Sequence, residues 1–431
     1  MDIALPLILF VVMLLAGIPV AWTMAIAGLV GVFALTGSLD IVRGQLETVA
    51  YGEGTNYSLI TIPLFVLLAY VVQNARLSND LFDAVAAWLG RLPGGLAVSS
   101  IFAGGVFGAM SGTSVASATV MSRMAVPAMD ARGYSRALST GAVAAGSTLS
   151  TLIPPSVVLI VYGISTETSI GQLMMAGVVP GVLLAVLLAT LIIVIAVLRP
   201  AAAPRGPRTT WEEKRRTVLG VIPVVSLIVL LMVCLYTGVA SPTEIAAVGA
   251  FGSIVLALVM RRLSWRGFVD AVTQTLKVTV MIFGLFIGAG FFGQFLTLAR
   301  IPQTVVMWVE GLGLDPIGIL LLVALIYIVG CMFVDEMPFM LLTLPVTFPL
   351  MTVTAGFDPV WYGVFSVMLL NIGLIAPPIG IVTFIVAGVT KTKLADAYRG
   401  ALLMLIGIVT AIVTVTVLPD LVTWLPDNML K

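Results

Sequence analysis

Two acidic residues lie in the middle of an apolar stretch of this 431-residue chain. Asp335 and Glu336 are the only charged residues between positions 316 and 357. A charged side chain deep in a bilayer is costly, so acids in such a position usually bind a cation or carry a proton. We therefore consider both as candidate ion ligands. The alternative is that one of the two acids is neutral or faces water at the edge of the membrane.

Two proline pairs, Pro154-Pro155 and Pro377-Pro378, interrupt other apolar stretches. Proline lacks an amide donor and clashes with the carbonyl one turn earlier, so each stretch is predicted to form two half-helices. Carbonyls freed at the break suit a sodium ion, and amides at the start of the second half suit a carboxylate. A kink bonded by neighbouring hydroxyls and water is the alternative. The polar side chains beside the breaks favour ligand binding; they are Ser147, Thr148, Ser150, Thr151, Ser156 and Asn371.

Small and hydroxyl residues precede the first proline pair, in residues 108 to 119. They permit a tight turn, so residues 95 to 129 are predicted to form a helical hairpin that enters and leaves on one side. Its counterpart contains Asp335. Such runs are also typical of helix-packing faces.

Arg123, nine residues beyond Ser114, is a candidate for neutralising a substrate carboxylate. The alternatives are that it pairs with an acid of the same domain or that its side chain extends to the membrane interface.

The absence of histidine and the near-equal numbers of basic and acidic residues exclude several functions. The chain has no histidine, which excludes Ser-His-Asp catalysis and histidine-ligated metals. Cys234 and Cys331 lie in apolar stretches and are expected to pack as small hydrophobic residues. We expect no cofactor and no transition metal. Basic and acidic residues number 21 and 20, so nucleic-acid binding is not expected.

The elements that position these residues are predicted to be membrane helices. Hydrophobic residues make up 60% of the chain and charged residues 10%, whereas soluble domains carry about a quarter charged residues. The hydrophobicity is continuous, which excludes a β-barrel. The predicted fold class is an all-α polytopic membrane protein. The loop at residues 199 to 216 carries six basic residues and is predicted to be cytoplasmic.

The chain also carries a repeat at an offset of 223 residues. Pro19, Pro93 and the first proline pair match Pro242, Pro316 and the second pair. Some coincidence is expected among 23 prolines, but four prolines in each half share this register, and two of those four form a tandem pair. We predict two repeats, 1-198 and 217-431, and expect them to be inverted, as in many secondary transporters. The first contains a hairpin at about 95-129 and a broken helix at about 137-163; the second contains a hairpin at about 317-353 and a broken helix at about 360-389.

Several motifs, in order and spacing, resemble one family over nearly the whole chain. They include Ile62-Pro-Leu-Phe65, Leu92-Pro-Gly-Gly-Leu-Ala97, Phe107-Gly-Ala-Met-Ser-Gly-Thr-Ser-Val-Ala116, Leu152-Ile-Pro-Pro-Ser156, Ser241-Pro-Thr-Glu244 and Ile372-Gly-Leu-Ile-Ala-Pro-Pro-Ile-Gly380. The sequence is similar to the large membrane subunit of tripartite ATP-independent periplasmic (TRAP) transporters.

The resemblance implies an elevator transporter of the bacterial cytoplasmic (inner) membrane, in which a rigid scaffold holds a mobile transport domain and a sodium gradient drives transport. It also implies a small membrane subunit and a periplasmic substrate-binding protein that delivers an organic acid, such as a C4-dicarboxylate or sialic acid. Each sodium ion would lie between a hairpin tip and the break in the same repeat. The family commonly has threonine where Ala376 stands, glycine where Ser150 stands, and two serines where Thr113-Ser114 stands, so the second ion site would rely on backbone carbonyls.

The site assignments follow from the motifs and this resemblance. The predicted sodium-binding residues are Ser111, Gly112, Thr113, Ser114, Ser150, Pro154, Asp335, Gly373, Ala376 and Pro377. The predicted substrate-binding residues are Arg123, Ser156, Asn371, Pro378 and Gly380.

Two other functions remain as alternatives. One is a stand-alone sodium-coupled anion transporter that needs no delivery protein. The other is an intramembrane enzyme that uses Asp335 or Ser114. Aspartyl chemistry requires a second carboxylate facing the first, and Glu336 follows directly on the chain, while a serine enzyme lacks a nearby base. We therefore predict a transporter and not an enzyme.

Overall fold

The computed structural model describes residues 3–206 and 209–429, apart from the side chains of residues 78–79 and 109–111. Every regular element in these ranges is helical, as the predicted fold class requires. The first ten α-helices are α1 (Ala4–Leu15), α2 (Val20–Thr36), α3 (Leu39–Gly54), α4 (Thr61–Asn74), α5 (Leu77–Leu89), α6 (Gly95–Ser111), α7 (Ser114–Asp130), α8 (Arg136–Thr148), α9 (Val157–Thr166) and α10 (Ile170–Leu198). The other ten are α11 (Trp211–Tyr236), α12 (Pro242–Val259), α13 (Trp265–Leu298), α14 (Ile301–Gly311), α15 (Pro316–Cys331), α16 (Glu336–Pro349), α17 (Pro359–Ile375), α18 (Ile381–Thr390), α19 (Leu394–Val417) and α20 (Asp420–Asp427).

Seven helical segments within the described ranges are long and apolar enough to span a bilayer. The most apolar are α10, α11 and α19. Large apolar side chains on their outer faces, such as Leu198, Val229 and Val413, are exposed. In a bilayer these faces contact lipid, where apolar exposure carries no cost.

Both proline pairs lie between two short helices. A short 3-10 turn, Leu149–Thr151, follows α8, and α9 begins only after Pro154-Pro155. In the same way α17 ends at Ile375, and α18 begins after Pro377-Pro378. Both Pro-Pro peptide bonds are cis. We call residues 149–156 the first break and residues 376–380 the second break.

The two broken helices cross one another and run antiparallel. At one end the Arg136 guanidinium, at the start of α8, donates to the Thr390 carbonyl at the end of α18, at 3.3 Å. At the other end the Tyr162 hydroxyl of α9 donates to the Pro359 carbonyl at the start of α17, at 2.7 Å. An antiparallel crossing is the arrangement expected of inverted repeats.

Other landmarks recur in the two halves of the chain. Arg76 and Arg300, 224 residues apart, have φ values of 57° and 54° and immediately precede α5 and α14. Glu167 and Lys391, separated by the same distance, have φ values of 54° and 53° and follow α9 and α18. Left-handed non-glycine residues are uncommon. Their matched positions support the predicted duplication.

One end of the bundle collects the basic loops, and we call it the basic end. The Gly206 amide bonds the Gly90 carbonyl, and the Ser135 amide bonds the Ala202 carbonyl, both at 2.9 Å. These contacts hold the loop after α10 against the loops that precede α6 and α8. Because Arg136 also reaches Thr390, the loop after α18 lies at this end.

The interior is built around α8 and α17, which are buried along almost their whole length. Close approach is possible because small residues face each other. A Cβ added at Gly141 of α8 would lie 2.4 Å from the carbonyl carbon of Gly400 in α19. Helices in membranes commonly pack through such small residues. The first break is therefore buried among tightly packed helices, whereas Pro378 and Ile379 of the second break are exposed.

Candidate functional site

The first hairpin tip is the turn between α6 and α7. Gly112 has a φ of 67°, and a Cβ there would lie 2.4 Å from Cγ2 of Val157, the first residue of α9. The turn therefore requires glycine, both for its backbone conformation and for its packing. Thr113 caps α7, because its hydroxyl accepts from the Ala116 amide at 3.3 Å. The first tip therefore packs against Val157, directly after the first break.

The second tip joins α15 to α16. Asp335 is the N-cap residue of α16, but its side chain makes no capping hydrogen bond. Within the described part of the chain, the buried Oδ1 atom of Asp335 has no hydrogen-bond partner. Buried polar atoms are nearly always bonded, so an unpartnered carboxylate oxygen is a candidate ligand atom.

The two tips meet through a serine and a glutamate. The Ser114 hydroxyl donates to Oε2 of Glu336 at 2.9 Å, and the Ser114 amide donates to Oε1 at 3.4 Å. These are the first residues of α7 and α16, at equivalent positions in the two hairpins. Glu336 is only 2% exposed. It forms no ion pair with any basic side chain in the described ranges.

The first break joins this cluster through Ser150. Its hydroxyl lies 3.4 Å from the Ser114 hydroxyl and donates to the Ser147 carbonyl at 2.7 Å. A Cβ at Gly108 would lie 2.4 Å from the Cβ of Ser150, so the hairpin backbone rests directly on the break. Ser114 and Ser150 are fully buried. Hydroxyl oxygens of the first tip and the first break therefore lie next to each other in the buried interior.

The first break is also joined to α17, the helix that precedes the second break. The Thr151 hydroxyl donates to Oδ1 of Asn371 at 2.9 Å, while Nδ2 of Asn371 is buried without a partner among the residues described. An unused amide donor suits a carboxylate or carbonyl oxygen of a ligand. Asn371 therefore combines a structural contact with a free donor inside the site.

Some predicted residues act in the structure of the breaks themselves. The Ser156 hydroxyl caps α9, accepting from the Leu159 amide at 3.3 Å and donating to the Thr151 carbonyl at 2.5 Å. Gly380 has a φ of 50°, and a Cβ there would lie 2.6 Å from the Ala376 carbonyl oxygen. The Pro378 carbonyl accepts from the Tyr398 hydroxyl at 2.8 Å. Pro154 and Pro377 are the first prolines of their cis pairs.

Gly373 fixes the distance between α17 and α15. A Cβ at Gly373 would lie 2.6 Å from the Cβ of Cys331 and 2.8 Å from its carbonyl carbon. In the second break, Ala376 is extended and supplies no side-chain oxygen. A side-chain hydroxyl beside this break is supplied instead by Thr383, which donates to the Ile375 carbonyl at 2.9 Å. Sequence reasoning missed Thr383, because it lies in an ordinary apolar run with no local signal.

One predicted residue, Arg123, lies apart from this cluster. The side chain of Arg123 is exposed on α7 and pairs with no acid in the described part of the protein. Its contact with substrate stays a prediction. The side chain of Ser111 lies outside what the structure describes.

A cavity of about 480 Å³ opens beside the two tips. It lies between them and the helices α4 and α13, and its polar lining residues are Tyr70, Gln73, Asn74, Thr113, Thr119, Asp270, Gln274, Asp335 and Glu336. Its volume suits a small organic molecule. Asn74 bonds the Gly267 carbonyl at 2.8 Å and Asp270 at 3.1 Å, near the start of α13. The cavity therefore extends from the tips toward the start of α13.

Sequence reasoning missed the wall of this cavity formed by α4 and α13. Tyr70, Gln73 and Gln274 carry polar atoms in helices that are otherwise largely apolar. Polar residues on one face of a spanning helix are a usable signal for a functional face. Since α4 and α13 are distant in sequence from the proline pairs, only the fold brings them to the site.

Comparisons with known proteins identify the family of the chain. Residues 7–421 match the family model described as "Tripartite ATP-independent periplasmic transporter, DctM component". The chain is 33% identical to the C4-dicarboxylate TRAP transporter large permease protein of Pseudomonas aeruginosa, with 90% of this chain and 91% of the relative covered. It is 31% identical to the ectoine TRAP transporter large permease protein of Halomonas elongata, with 96% of each covered.

A solved structure has a similar fold. The Alcanivorax borkumensis YdaH transporter superimposes with a TM-score of 0.60 and 16% identity, and the match covers 91% of this chain and 90% of that chain. The relatives are permease subunits of membrane transporters, so the chain is a multi-pass protein of the inner membrane and not an enzyme. The chain belongs to the DctM family, the large permease component of tripartite ATP-independent periplasmic transporters.

Proposed function

We propose that this permease imports an organic acid together with sodium, by moving its binding site across the membrane on an elevator-like domain. The acid is delivered by a periplasmic substrate-binding protein, and a small membrane subunit completes the complex. The observation that carries the proposal is the junction of both hairpin tips with the first break, beside a cavity that opens toward one end.

The chemistry of this junction supports sodium as the coupling ion. Sodium is a hard cation that prefers oxygen ligands, as related hard cations do. Ser114 and Ser150 place hydroxyl oxygens together at the first tip, and Asp335 presents an unpartnered carboxylate oxygen at the second. Breaks in buried helices also leave carbonyl groups free to coordinate an ion.

The packing supports two groups of helices that move relative to one another. One group contains α2, α4, α12 and α13. Thr61 and Thr243 join α4 to α12 by a hydrogen bond of 2.7 Å, and a Cβ at Gly28 of α2 would lie 2.6 Å from the Phe291 backbone of α13. We propose that this group is the scaffold.

The second group contains the hairpins and the broken helices. It meets the scaffold along a loosely packed boundary, which holds the 480 Å³ cavity and a second of about 440 Å³. The second cavity is lined by Glu53 of α3, Glu167 after α9 and Phe286 of α13. Sliding requires such a boundary, because close-packed interfaces do not deform continuously.

The side assignment follows from the basic residues. The loop after α10 lies at the basic end, which we place in the cytoplasm because this loop is rich in basic residues. Arg261, Arg262 and Arg266 follow two further spans, α11 and α12, and we place them on the same side, together with the start of α13. The 480 Å³ cavity then opens to the cytoplasm, as expected of an inward-facing state. The 440 Å³ cavity lies toward the periplasmic side.

The proposal is tested by uptake into proteoliposomes that contain this chain, the small subunit and the binding protein. Radiolabelled succinate and ectoine represent the substrates named for two relatives. We expect accumulation with sodium outside and none with potassium outside. Equal uptake in both salts would refute sodium coupling, and equal uptake without the binding protein would favour a stand-alone anion transporter.

A further inference from the structure

An apolar groove of about 660 Å³ lies between α5, α6 and α11, away from the site described above. It is open to the outside of the bundle, since its lining residues Ile222, Val225 and Val229 are exposed. None of its described lining residues is charged, and the one hydroxyl among them, that of Ser226, donates to the Pro223 carbonyl at 2.9 Å. A polar ligand would lose its bonds to water here without replacement, so the groove suits an apolar chain.

The groove has the depth of one leaflet of a bilayer. On α11 its lining runs from Val218 to Val229, which is about 16 Å at a rise of about 1.5 Å per residue. The hydrocarbon core of a bilayer is about 30 Å thick, so one leaflet contributes about 15 Å. Because α11 begins at the basic end, the orientation proposed above places the groove in the cytoplasmic leaflet. A spanning helix of another subunit would require a face about twice as long.

Two basic side chains lie at the end of the groove nearest the basic end, which we call its mouth. Lys214 precedes the lining residue Val218 by one turn, and its ammonium lies 5.2 Å from the centre of the Trp88 ring, which also lines the groove. Arg215 is exposed and precedes Ile222 by two turns, so it continues the same face of the helix. The mouth therefore presents two positive charges.

The nearby acids lie on other faces of their helices. Glu213 accepts from the Thr210 amide at 2.8 Å and lies on the far side of α11. Glu212 is four residues before Arg216, so these two are neighbours on an adjacent face. On α5, Asp83 is two residues away from a lining residue on either side, and residues two apart do not share a face. The positive charge at the mouth is therefore not cancelled.

The mouth is held in place by the chain around it. The Thr209 hydroxyl donates to the Ala87 carbonyl at 2.7 Å, which fixes the start of α11 against the end of α5. The rings of Trp88 and Trp211 meet edge to face, with their centres 5.9 Å apart. Tryptophan is typical of the level of the lipid headgroups. The basic side chains therefore lie where a headgroup meets the hydrocarbon.

We propose that this groove binds an anionic phospholipid of the cytoplasmic leaflet. An acyl chain lies along α11, and the phosphate is bonded by Lys214 and Arg215. Ammonium and guanidinium groups form strong, charge-assisted hydrogen bonds to phosphate oxygens. Basic pockets between membrane helices on the cytoplasmic side are typical sites for anionic headgroups.

The lipid would contact both groups of helices. Phe102 and Val106 of α6, in the first hairpin, line the groove. The opposite wall, α11, packs on the scaffold helix α12, where a Cβ at Gly252 would lie 2.9 Å from Cδ1 of Leu227. A bound lipid therefore favours the present arrangement of the two groups. This consequence rests on the proposed function, whereas binding of the lipid does not.

The test is a lipid titration of the purified, delipidated full chain in detergent, read by native mass spectrometry. The probes are phosphatidylglycerol, which is anionic, and phosphatidylcholine, which is zwitterionic, with identical acyl chains. The fraction of protein that carries a lipid gives each dissociation constant. We expect phosphatidylglycerol to bind at least tenfold more tightly.

Variants assign this preference to the mouth and the groove. With Lys214→Gln and Arg215→Gln combined, phosphatidylglycerol should bind no better than phosphatidylcholine. Arg216→Gln, the exposed neighbour on another face, is the matched control and should keep the preference. Val225→Trp fills the open side of the groove without changing any charge and should weaken both lipids at least tenfold, so the proposal stays testable if the double variant does not fold.

Four results would overturn the inference. Equal affinity for the two lipids in the unchanged protein would show only the ordinary lipid shell. A preference that survives the double variant, or normal binding of both lipids to Val225→Trp, contradicts the assigned position. Displacement of phosphatidylglycerol by the purified small membrane subunit would assign the groove to that subunit. Uptake that does not depend on sodium would instead refute the proposed function and leave the lipid site intact.

Discussion

A methyl group added at Gly373 should disturb the second break by steric overlap with Cys331 and with the Ile328 carbonyl oxygen of α15. In Gly373→Ala, the new Cβ would lie 2.6 Å from the Cβ of Cys331, whereas ordinary contacts begin at 3.4 Å. The helices α15 and α17 must therefore separate by about 0.8 Å, the difference between these distances. Because the nearest atoms include the Cys331 backbone, rotation of a side chain cannot relieve the clash.

The expected cost follows from the measured range for overpacked cores, about 1–3 kcal/mol. Since about 1.4 kcal/mol corresponds to a factor of ten in an equilibrium constant, we expect on the order of a tenfold loss of sodium affinity if the strain falls on the break. The assays are the thermal unfolding midpoint in detergent and sodium-driven uptake in proteoliposomes. Both should fall, while the amount of protein in the membrane stays near normal.

Gly388→Ala is the matched control. Gly388 lies in α18, in the same half of the chain, and a Cβ there would have no atom within 4 Å. Its uptake should equal that of the unchanged protein, and its unfolding midpoint should be equal or slightly higher, because alanine favours a helix more than glycine does. If Gly373→Ala behaves in the same way as Gly388→Ala, the close contact between α15 and α17 does not control the site.

Three further changes test other contacts. Ser114→Ala removes the hydroxyl that donates to Glu336 and should destabilise the protein by about 1–3 kcal/mol, the usual cost of leaving a buried group less well bonded, measured by thermal unfolding with and without sodium. Gly112→Ala combines a φ of 67° with a Cβ 2.4 Å from Val157, so uptake should be lost; normal uptake would show that the first tip tolerates another conformation. Tyr162→Phe removes the bond to the Pro359 carbonyl, far from the tips, and should lower the unfolding midpoint by the equivalent of about 1 kcal/mol while uptake persists.

The fold class and the broken helices could be predicted because their causes are local. Continuous hydrophobicity requires helices in lipid, and tandem prolines cannot continue a helix, so both breaks follow from the residues at those positions. The turn at Gly112 also has a local cause, since small residues permit the left-handed conformation found there.

The pairing of the tips could not be predicted, because it depends on three-dimensional packing between distant helices. Nothing in the sequence near Glu336 indicates that its carboxylate meets Ser114, 222 residues earlier. The same holds for Tyr70 and Gln274, whose polar atoms become meaningful only when α4 and α13 face the tips. The membrane side of each repeat, sodium coupling and the elevator motion stay predictions.

The most direct test of the central claim is equilibrium binding of radioactive sodium to the purified protein. The claim is that the hairpin tips and the helix breaks together bind the coupling ion. We predict saturable binding that Asp335→Asn weakens at least tenfold, and that Asp420→Asn, an exposed acid at the start of α20, leaves unchanged. Equal sodium affinity in Asp335→Asn and in the unchanged protein would contradict the account.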